Sequence, residues 1–91
     1  MRCVSIHVTG QVQGVFFRET AKAMAVELGV AGLVRNEPDG SVYMEVEGDD
    51  ALIEKFVAWC QDGPEQAKVE NVEVKRLPLR DFDGFQVERD R

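Results

Sequence analysis

Alternating hydrophobic and polar residues mark the first strand, and a helical period follows it. Residues 2–9 alternate strictly, which predicts a strand with one buried face. After a segment bounded by Gly10 and Gly14, apolar residues recur every three to four positions and stop at Gly29, which is typical of a helix that ends at a glycine. The apolar face of this helix consists of Phe17, Ala21, Met24 and Leu28.

A hairpin is predicted in the middle of the chain. Strands over 32–37 and 41–47 are joined by a turn in which Pro38 fits the second position and Gly40 supplies a positive φ. The second of these strands is expected to bury Val42, Met44 and Val46 and to expose Ser41, Tyr43, Glu45 and Glu47.

The remaining residues complete two interleaved strand–helix–strand units. A second helix, capped by Asp49 or Asp50, ends at Gly63-Pro64, and strands follow over 68–77 and 85–87. The order β-α-β-β-α-β with a short extra C-terminal strand predicts a ferredoxin-like α/β sandwich, with a mostly antiparallel sheet and both helices on one face. Right-handed crossovers place the first strand parallel to the second with the third between them. The C-terminal ends of the first and second strands therefore meet at one edge of the sheet.

Length and charge predict a single domain, residues 1–91, and disfavour several kinds of partner. Ninety-one residues are too few to bury two separate cores. The 11 basic and 17 acidic residues give a net charge of −6 without a basic cluster, so nucleic acid is not an expected partner. No apolar run is long enough for a membrane span, and the alternating N-terminus argues against a signal peptide. We therefore expect a cytoplasmic protein without a membrane partner, and we interpret it as a monomer.

Neither the cysteines nor the histidine indicate a metal site or a cofactor. Cys3 and Cys60 lie far apart in apolar settings, so both are expected to be free, buried thiols. His7 is the only histidine, and no pair of cysteines or histidines has metal-ligand spacing. For His7 and Cys3, which share a strand face, an ordinary strand position is favoured over a nucleophile or a base.

The segment between the first strand and the first helix is the first candidate site. No Ser, Thr, Asp or Asn occupies residues 14–18, so the first N–H groups of the helix lack a side-chain acceptor. The helix dipole favours an anion there, and Gly10 and Gly14 allow a concave arrangement of backbone N–H groups. Arg18 lies at the same helix start, and its planar guanidinium suits two oxygens of one phosphate. The alternative is an ordinary glycine-containing loop with a solvated arginine, and these residues by themselves leave both interpretations open.

Asn36 is the second candidate, at the end of the second strand. The topology brings that end to the sheet edge that carries residues 10–18, two strand spacings or about 10 Å away, a gap that a phosphate and one water can bridge. An asparagine side chain both donates and accepts hydrogen bonds, so it can hold a water but cannot deprotonate it. The alternative is an asparagine that serves the adjacent turn.

These two regions resemble the motifs of the acylphosphatase family. Seven of nine positions match the first motif, namely Gly10, Val12, Gln13, Gly14, Val15, Phe17 and Arg18. The second motif is matched by Gly32, Val34 and Asn36, followed by Asp39-Gly40-x-Val42. Further matches are Phe56, Trp59, Gly63-Pro64, Ala67, Val69, Val72 and Phe85-x-Val87. The resemblance spans essentially the whole chain in register.

The resemblance implies hydrolysis of the carboxyl–phosphate bond of small acyl phosphates to carboxylate and phosphate ion, without metal, cofactor or covalent intermediate. It further implies that Asn36 positions the attacking water and that Arg18 binds the phosphate. The backbone N–H groups implied to bind the phosphate are those of Gln13, Gly14, Val15, Phe16, Phe17 and Arg18. Two features depart from the family pattern: Glu19 places a negative charge near the anion site, and the tail 88–91 runs past the usual closing residues.

Two other functions fit the same fold class. A non-catalytic anion-binding or RNA-binding module is disfavoured by the presence of both Arg18 and Asn36, and the first strand offers no aromatic residues for base stacking. A domain that serves carbamoyl-group transfer within a larger enzyme is disfavoured by the short chain. Thr20, near the start of the first helix, is interpreted as a packing residue.

Overall fold

Five strands and two helices form the fold of residues 1–89, the part of the chain that the computed structural model describes. The elements are β1 (Arg2–Gln11), α1 (Phe17–Leu28), β2 (Ala31–Asn36), β3 (Val42–Gly48), α2 (Asp50–Asp62), β4 (Lys68–Leu77) and β5 (Phe85–Val87). The strands make one sheet in the order β4-β1-β3-β2-β5, in which β2 and β5 run parallel and the other pairs are antiparallel. The ferredoxin-like α/β sandwich with a short extra C-terminal strand is confirmed.

Both helices end at the predicted glycines. Gly29 closes α1 in the left-handed region, with a φ of 81°, and its N–H donates to the last carbonyls of the helix. Asp49 immediately precedes α2, as one of the two predicted caps, although its side chain makes no capping hydrogen bond. Gly63 closes α2 with a φ of 67°. Within residues 1–89, no helix is long and apolar enough to cross a membrane.

The hairpin between β2 and β3 forms at the predicted turn. Gly40 has a φ of 93°, and its N–H donates to the Glu37 carbonyl at 3.1 Å, which closes the turn around Pro38. The side chain of Asp39 accepts the Ser41 N–H at 2.9 Å and fixes the same turn. Asn36 is consequently the last residue of β2, at the edge of the sheet.

The core lies between the helices and one face of the sheet. The residues of β1 and β3 that point toward the helices are buried as predicted, namely Val4, Ile6, Val8, Val42, Met44 and Val46. Phe56 of α2 contacts Phe85 of β5, with ring centroids 6.1 Å apart, so the short C-terminal strand is anchored in the core. Cys3 and Cys60 are free and buried, as predicted.

The second face of the sheet is less open than the pattern predicts. The expected exposure of Ser41, Glu45 and Glu47 is wrong, because these residues are only 3%, 7% and 5% exposed. The hydroxyl of Tyr43, which is half-buried, donates to the Glu45 carboxylate at 2.6 Å. Tyr43 and Glu45 therefore pair with each other on this face instead of facing water.

Residues 78–84 explain the burial of Glu47. The Glu47 carboxylate accepts hydrogen bonds from the backbone N–H groups of Arg80, Asp81 and Phe82, which fold over the sheet between β4 and β5. These bonds, chiefly the one from Arg80, lower the pKa of the Glu47 carboxyl. Alternation identifies the residues that share a face, but it does not reveal that a later segment covers that face.

Candidate active site

The end of β1, the start of α1 and the end of β2 meet at one edge of the sheet, as the topology predicts. Between β1 and α1, the chain passes through left-handed conformations at Gly14 and Phe16, with φ of 73° and 63°. The first helical residue, Phe17, follows without any side-chain cap. The N–H groups at this helix start therefore lack a capping acceptor, and together with the helix dipole they create a positive potential at the edge.

Gly10 directs the chain from the sheet into this loop. The pairing of β1 with β4 shifts between Thr9 and Gly10, which is a β-bulge. Gly10 has a φ of 125°, and a Cβ atom at this position would lie 2.2 Å from the carbonyl oxygen of Lys68. Glycine is thus required both by the backbone conformation and by the close approach of β4.

A cavity of about 230 Å³ collects the main candidate residues. Its lining residues are Val12, Gly14, Phe16, Phe17, Arg18, Glu19 and Asn36. Gln13 lines an adjoining cavity of about 700 Å³, which also includes Asn36. Val15 is partly buried and packs against the core. The fold thus brings Arg18 and Asn36 together with the loop that precedes α1.

Arg18 is held by the segment that follows β5. Its Nη1 donates to the Glu88 carbonyl at 2.8 Å, and the Glu88 N–H donates to the Val34 carbonyl at 2.8 Å. Because Val34 and Asn36 belong to the same strand, Glu88 couples the position of the guanidinium to the strand that carries Asn36. Holding a side chain in place before a ligand binds lowers the entropy cost of binding. Sequence reasoning misses Glu88 because a backbone carbonyl has no side-chain signature.

The Gln13 side chain ties the loop to the hairpin. Its Nε2 donates to the carbonyls of Glu37 and Ser41, at 2.8 Å and 2.9 Å. These two carbonyls flank the turn that follows Asn36, so the contact sets the distance between the loop and the end of β2. Gln13 is predicted to contribute its backbone N–H, and its side chain has this additional positioning contact.

Asn36 is not used by the neighbouring turn. The side chains that stabilise that turn are those of Asp39 and Gln13, through their bonds to the backbone of Ser41. Within residues 1–89, no hydrogen bond engages the Asn36 side chain. Its amide keeps both donor and acceptor capacity inside the cavity that it shares with Arg18, and this capacity is what holding a water requires.

The two features that depart from the family pattern, Glu19 and the tail 88–91, are in contact through Arg89. The Nη1 of Arg89 donates to the Glu19 carboxylate at 2.8 Å, and this bond lowers the pKa of the Glu19 carboxyl. Glu19 lines the cavity with Arg18, so its charge lies beside the proposed phosphate position. Arg89 therefore balances the negative charge that Glu19 adds there.

His7 and Cys3 are not among the lining residues of this cavity. The Nε2 of His7 lies 2.6 Å from the Ser41 hydroxyl, which itself donates to the Asp39 carboxylate. Because the Ser41 proton is directed at Asp39, His7 acts as a donor to Ser41 and not as its base. Burial raises the pKa of the Cys3 thiol and disfavours its thiolate.

Comparison with known proteins identifies the family of this chain. The family model described as Acylphosphatase matches residues 4–87. The chain belongs to the acylphosphatase family. It is 57% identical over 72 residues to an acylphosphatase of Nocardioides sp., and the match covers 79% of this chain and 73% of that relative. It is 40% identical over 87 residues to an acylphosphatase of Archaeoglobus fulgidus, with 96% and 98% of the two chains covered.

A solved structure agrees with this assignment. An acylphosphatase from Coxiella burnetii superimposes with a TM-score of 0.93 at 37% identity, and the match covers 96% of this chain and 92% of that chain. The resemblance seen in the motifs of this acylphosphatase is confirmed, together with the fold that it implies.

Removing the charge of Arg89 is expected to weaken substrate binding by this acylphosphatase. In Arg89→Gln, the unbalanced Glu19 carboxylate repels the dianionic phosphate, so KM for acetyl phosphate rises while kcat changes little. Because the ion pair is exposed, the expected increase is only about two- to fivefold at low ionic strength, and it shrinks as salt is added. Steady-state kinetics over a salt series measure it.

Glu19→Gln in the Arg89→Gln background is the matched control, and it is expected to restore KM. An Arg89→Gln enzyme with wild-type KM at low salt would show that Glu19 has no influence on the anion site.

Proposed function

We propose that this acylphosphatase binds the phosphate of its substrate through Arg18 and the backbone N–H groups of residues 13–18, and that Asn36 orients the attacking water. One observation carries the proposal: Arg18, Asn36 and the uncapped start of α1 line the same cavity of about 230 Å³. A fixed cation, uncapped backbone N–H donors and an amide that can hold water are the groups that phosphoryl transfer needs, because it depends on positioning and charge stabilisation.

The bond changes in this reaction require no further acid from the protein. The water oxygen attacks phosphorus, and the bond between phosphorus and the carboxylate oxygen breaks with its electron pair on that oxygen. The leaving carboxylate has a conjugate acid with a pKa of about 4–5, so it departs as an anion. Asn36 cannot accept the proton of the water, and a phosphate oxygen of the substrate is the proposed acceptor.

This chemistry also sets the substrate class. A sugar or nucleotide monoester releases an alkoxide, which must be protonated or otherwise stabilised as it departs. Among residues 1–89, the side chains that line the cavity with Arg18 and Asn36 include one ionisable acid, Glu19, and its pKa is lowered by Arg89, so it remains ionised near neutral pH. We therefore expect acyl phosphates to be hydrolysed well and phosphate monoesters poorly.

Turnover of a simple acyl phosphate tests this function. The wild-type protein is expected to release carboxylate and phosphate from acetyl or benzoyl phosphate in excess chelator, and to leave a sugar phosphate largely intact under the same conditions. Phosphate release and carboxylate release are measured side by side and should be equal. Loss of activity with chelator would contradict the metal-free mechanism. Binding of the acyl phosphate without turnover would favour a non-catalytic anion-binding module.

We also propose that residues 1–91 act as a single domain and as a monomer in the cytoplasm, without nucleic-acid or membrane partners. The net charge of −6 supports the absence of nucleic acid, since a polyanion requires a positive surface. The proposed chemistry supports the monomer, because each group that it uses belongs to one chain.

A further inference from the structure

Phe16 has a backbone conformation that is unusual for a large side chain. Its φ of 63° and ψ of 26° are left-handed, and a bulky residue in this region is a strained outlier. Phe16 is 70% exposed, so burial in the core does not offset the strain. The next residue, Phe17, is only 2% exposed and packs against Trp59, with ring centroids 5.3 Å apart.

Thr20 holds Phe16 in this conformation. Its backbone N–H and its hydroxyl both donate to the Phe16 carbonyl, at 3.1 Å and 2.7 Å. Thr20, which the sequence pattern suggests is a packing residue, therefore fixes the loop at the start of α1. The turn requires a left-handed residue at this position, but it does not require a phenylalanine. Glycine or asparagine adopts the left-handed region at lower cost.

The position of the Phe16 ring explains why a large side chain occupies this left-handed position. Phe16 lines the cavity that contains Arg18 and Asn36. The other apolar side chains that line this cavity, those of Val12 and Phe17, are 1% and 2% exposed and belong to the core. Phe16 is thus the apolar side chain of this cavity that a ligand can touch.

We propose that Phe16 is a specificity-determining residue that contacts the acyl group and favours aromatic acyl phosphates over small ones. The proposal rests on the proposed function, because the acyl group is placed beside Phe16 only when the phosphate lies at Arg18. An aromatic ring pairs with another ring in offset or edge-to-face geometry. The contact is made in the bound substrate and persists through the reaction, so its effect falls mainly on KM.

The ratio of kcat/KM for benzoyl phosphate to kcat/KM for acetyl phosphate tests this role. Phe16→Asn is expected to lower the ratio about three- to tenfold, the contribution of an aromatic pair of this kind. Dividing by the acetyl phosphate value removes any damage to the phosphate loop itself. The urea midpoint of this variant is expected to equal or exceed that of the wild type, because asparagine tolerates the left-handed region.

Two further variants make the test specific. Phe16→Tyr keeps the ring and is expected to keep the wild-type ratio. Val26→Asn makes the same kind of change at an exposed position of α1, where the valine is 66% exposed, and should leave the ratio unaltered. The proposal is overturned by an unchanged ratio in Phe16→Asn, by an equal fall in Phe16→Tyr, or by a marked fall in the stability of Phe16→Asn. Failure of the proposed function looks different, since Arg18→Ala would then hydrolyse acetyl phosphate as well as the wild type does, or the wild type would hydrolyse neither substrate.

Discussion

Arg18→Ala is expected to lower kcat/KM for acetyl phosphate by about 10³-fold, at the upper end of what a single preorganised donor contributes. In the proposed role, the guanidinium donates two parallel, charge-assisted N–H bonds to one phosphate, and alanine removes both together with the positive charge. Part of the loss should appear in kcat, because charge on the transferring group is rearranged in the transition state. Steady-state kinetics and inhibition by inorganic phosphate measure the two contributions.

Two control variants separate charge and geometry from general damage. Arg18→Lys keeps the charge without the planar pair of donors, so it should recover only a small part of the lost activity. Arg76→Ala removes the same charge from an exposed position on β4, and its kinetics should match the wild type. Full activity in Arg18→Lys would mean that a point charge is sufficient and that the bidentate geometry has no role.

The topology could be predicted because each element carries a local signal. Alternation in β1, the Pro38 and Gly40 turn and the glycines that end both helices depend only on neighbouring residues, and right-handed crossovers leave one arrangement of the first three strands. The end of β1 was less predictable. The strand continues to Gln11, two residues beyond the predicted end, because the bulge at Gly10 lets it pair again with β4.

In the candidate site too, residues with a local sequence signal could be predicted, and residues whose role depends on distant parts of the chain could not. Arg18 and Asn36 could be singled out, because an uncapped helix start and the end of a strand are visible in short windows of sequence. The Glu88 carbonyl could not, since its role depends on β5 lying beside β2. The Glu19–Arg89 pair joins residues far apart in the chain, and exposed charges carry no pattern that identifies their partner.

Asn36→Ala is expected to lower kcat for acetyl phosphate by about 10²–10³-fold while leaving phosphate binding nearly intact. In the proposed role, the asparagine amide accepts one hydrogen bond from the water and donates another to it, so that a lone pair of the water is directed at phosphorus. Without the amide, the water is no longer held in position to attack phosphorus, and the rate advantage of a fixed nucleophile is lost. The inhibition constant of inorganic phosphate should stay within a small factor of the wild-type value, because Arg18 and the loop are unchanged.

The division of effects between kcat and binding distinguishes this role from a structural one. The backbone of Asn36 pairs with Val42 of β3, and this pairing survives the substitution, so the urea midpoint should change little. Asn36→Asp is the sharper variant, because the carboxylate is nearly the same size but repels the dianion, and it should weaken phosphate binding as well as turnover. If Asn36→Ala retained most of its kcat, the water would be oriented by another group, and the assignment of Asn36 would have to be abandoned.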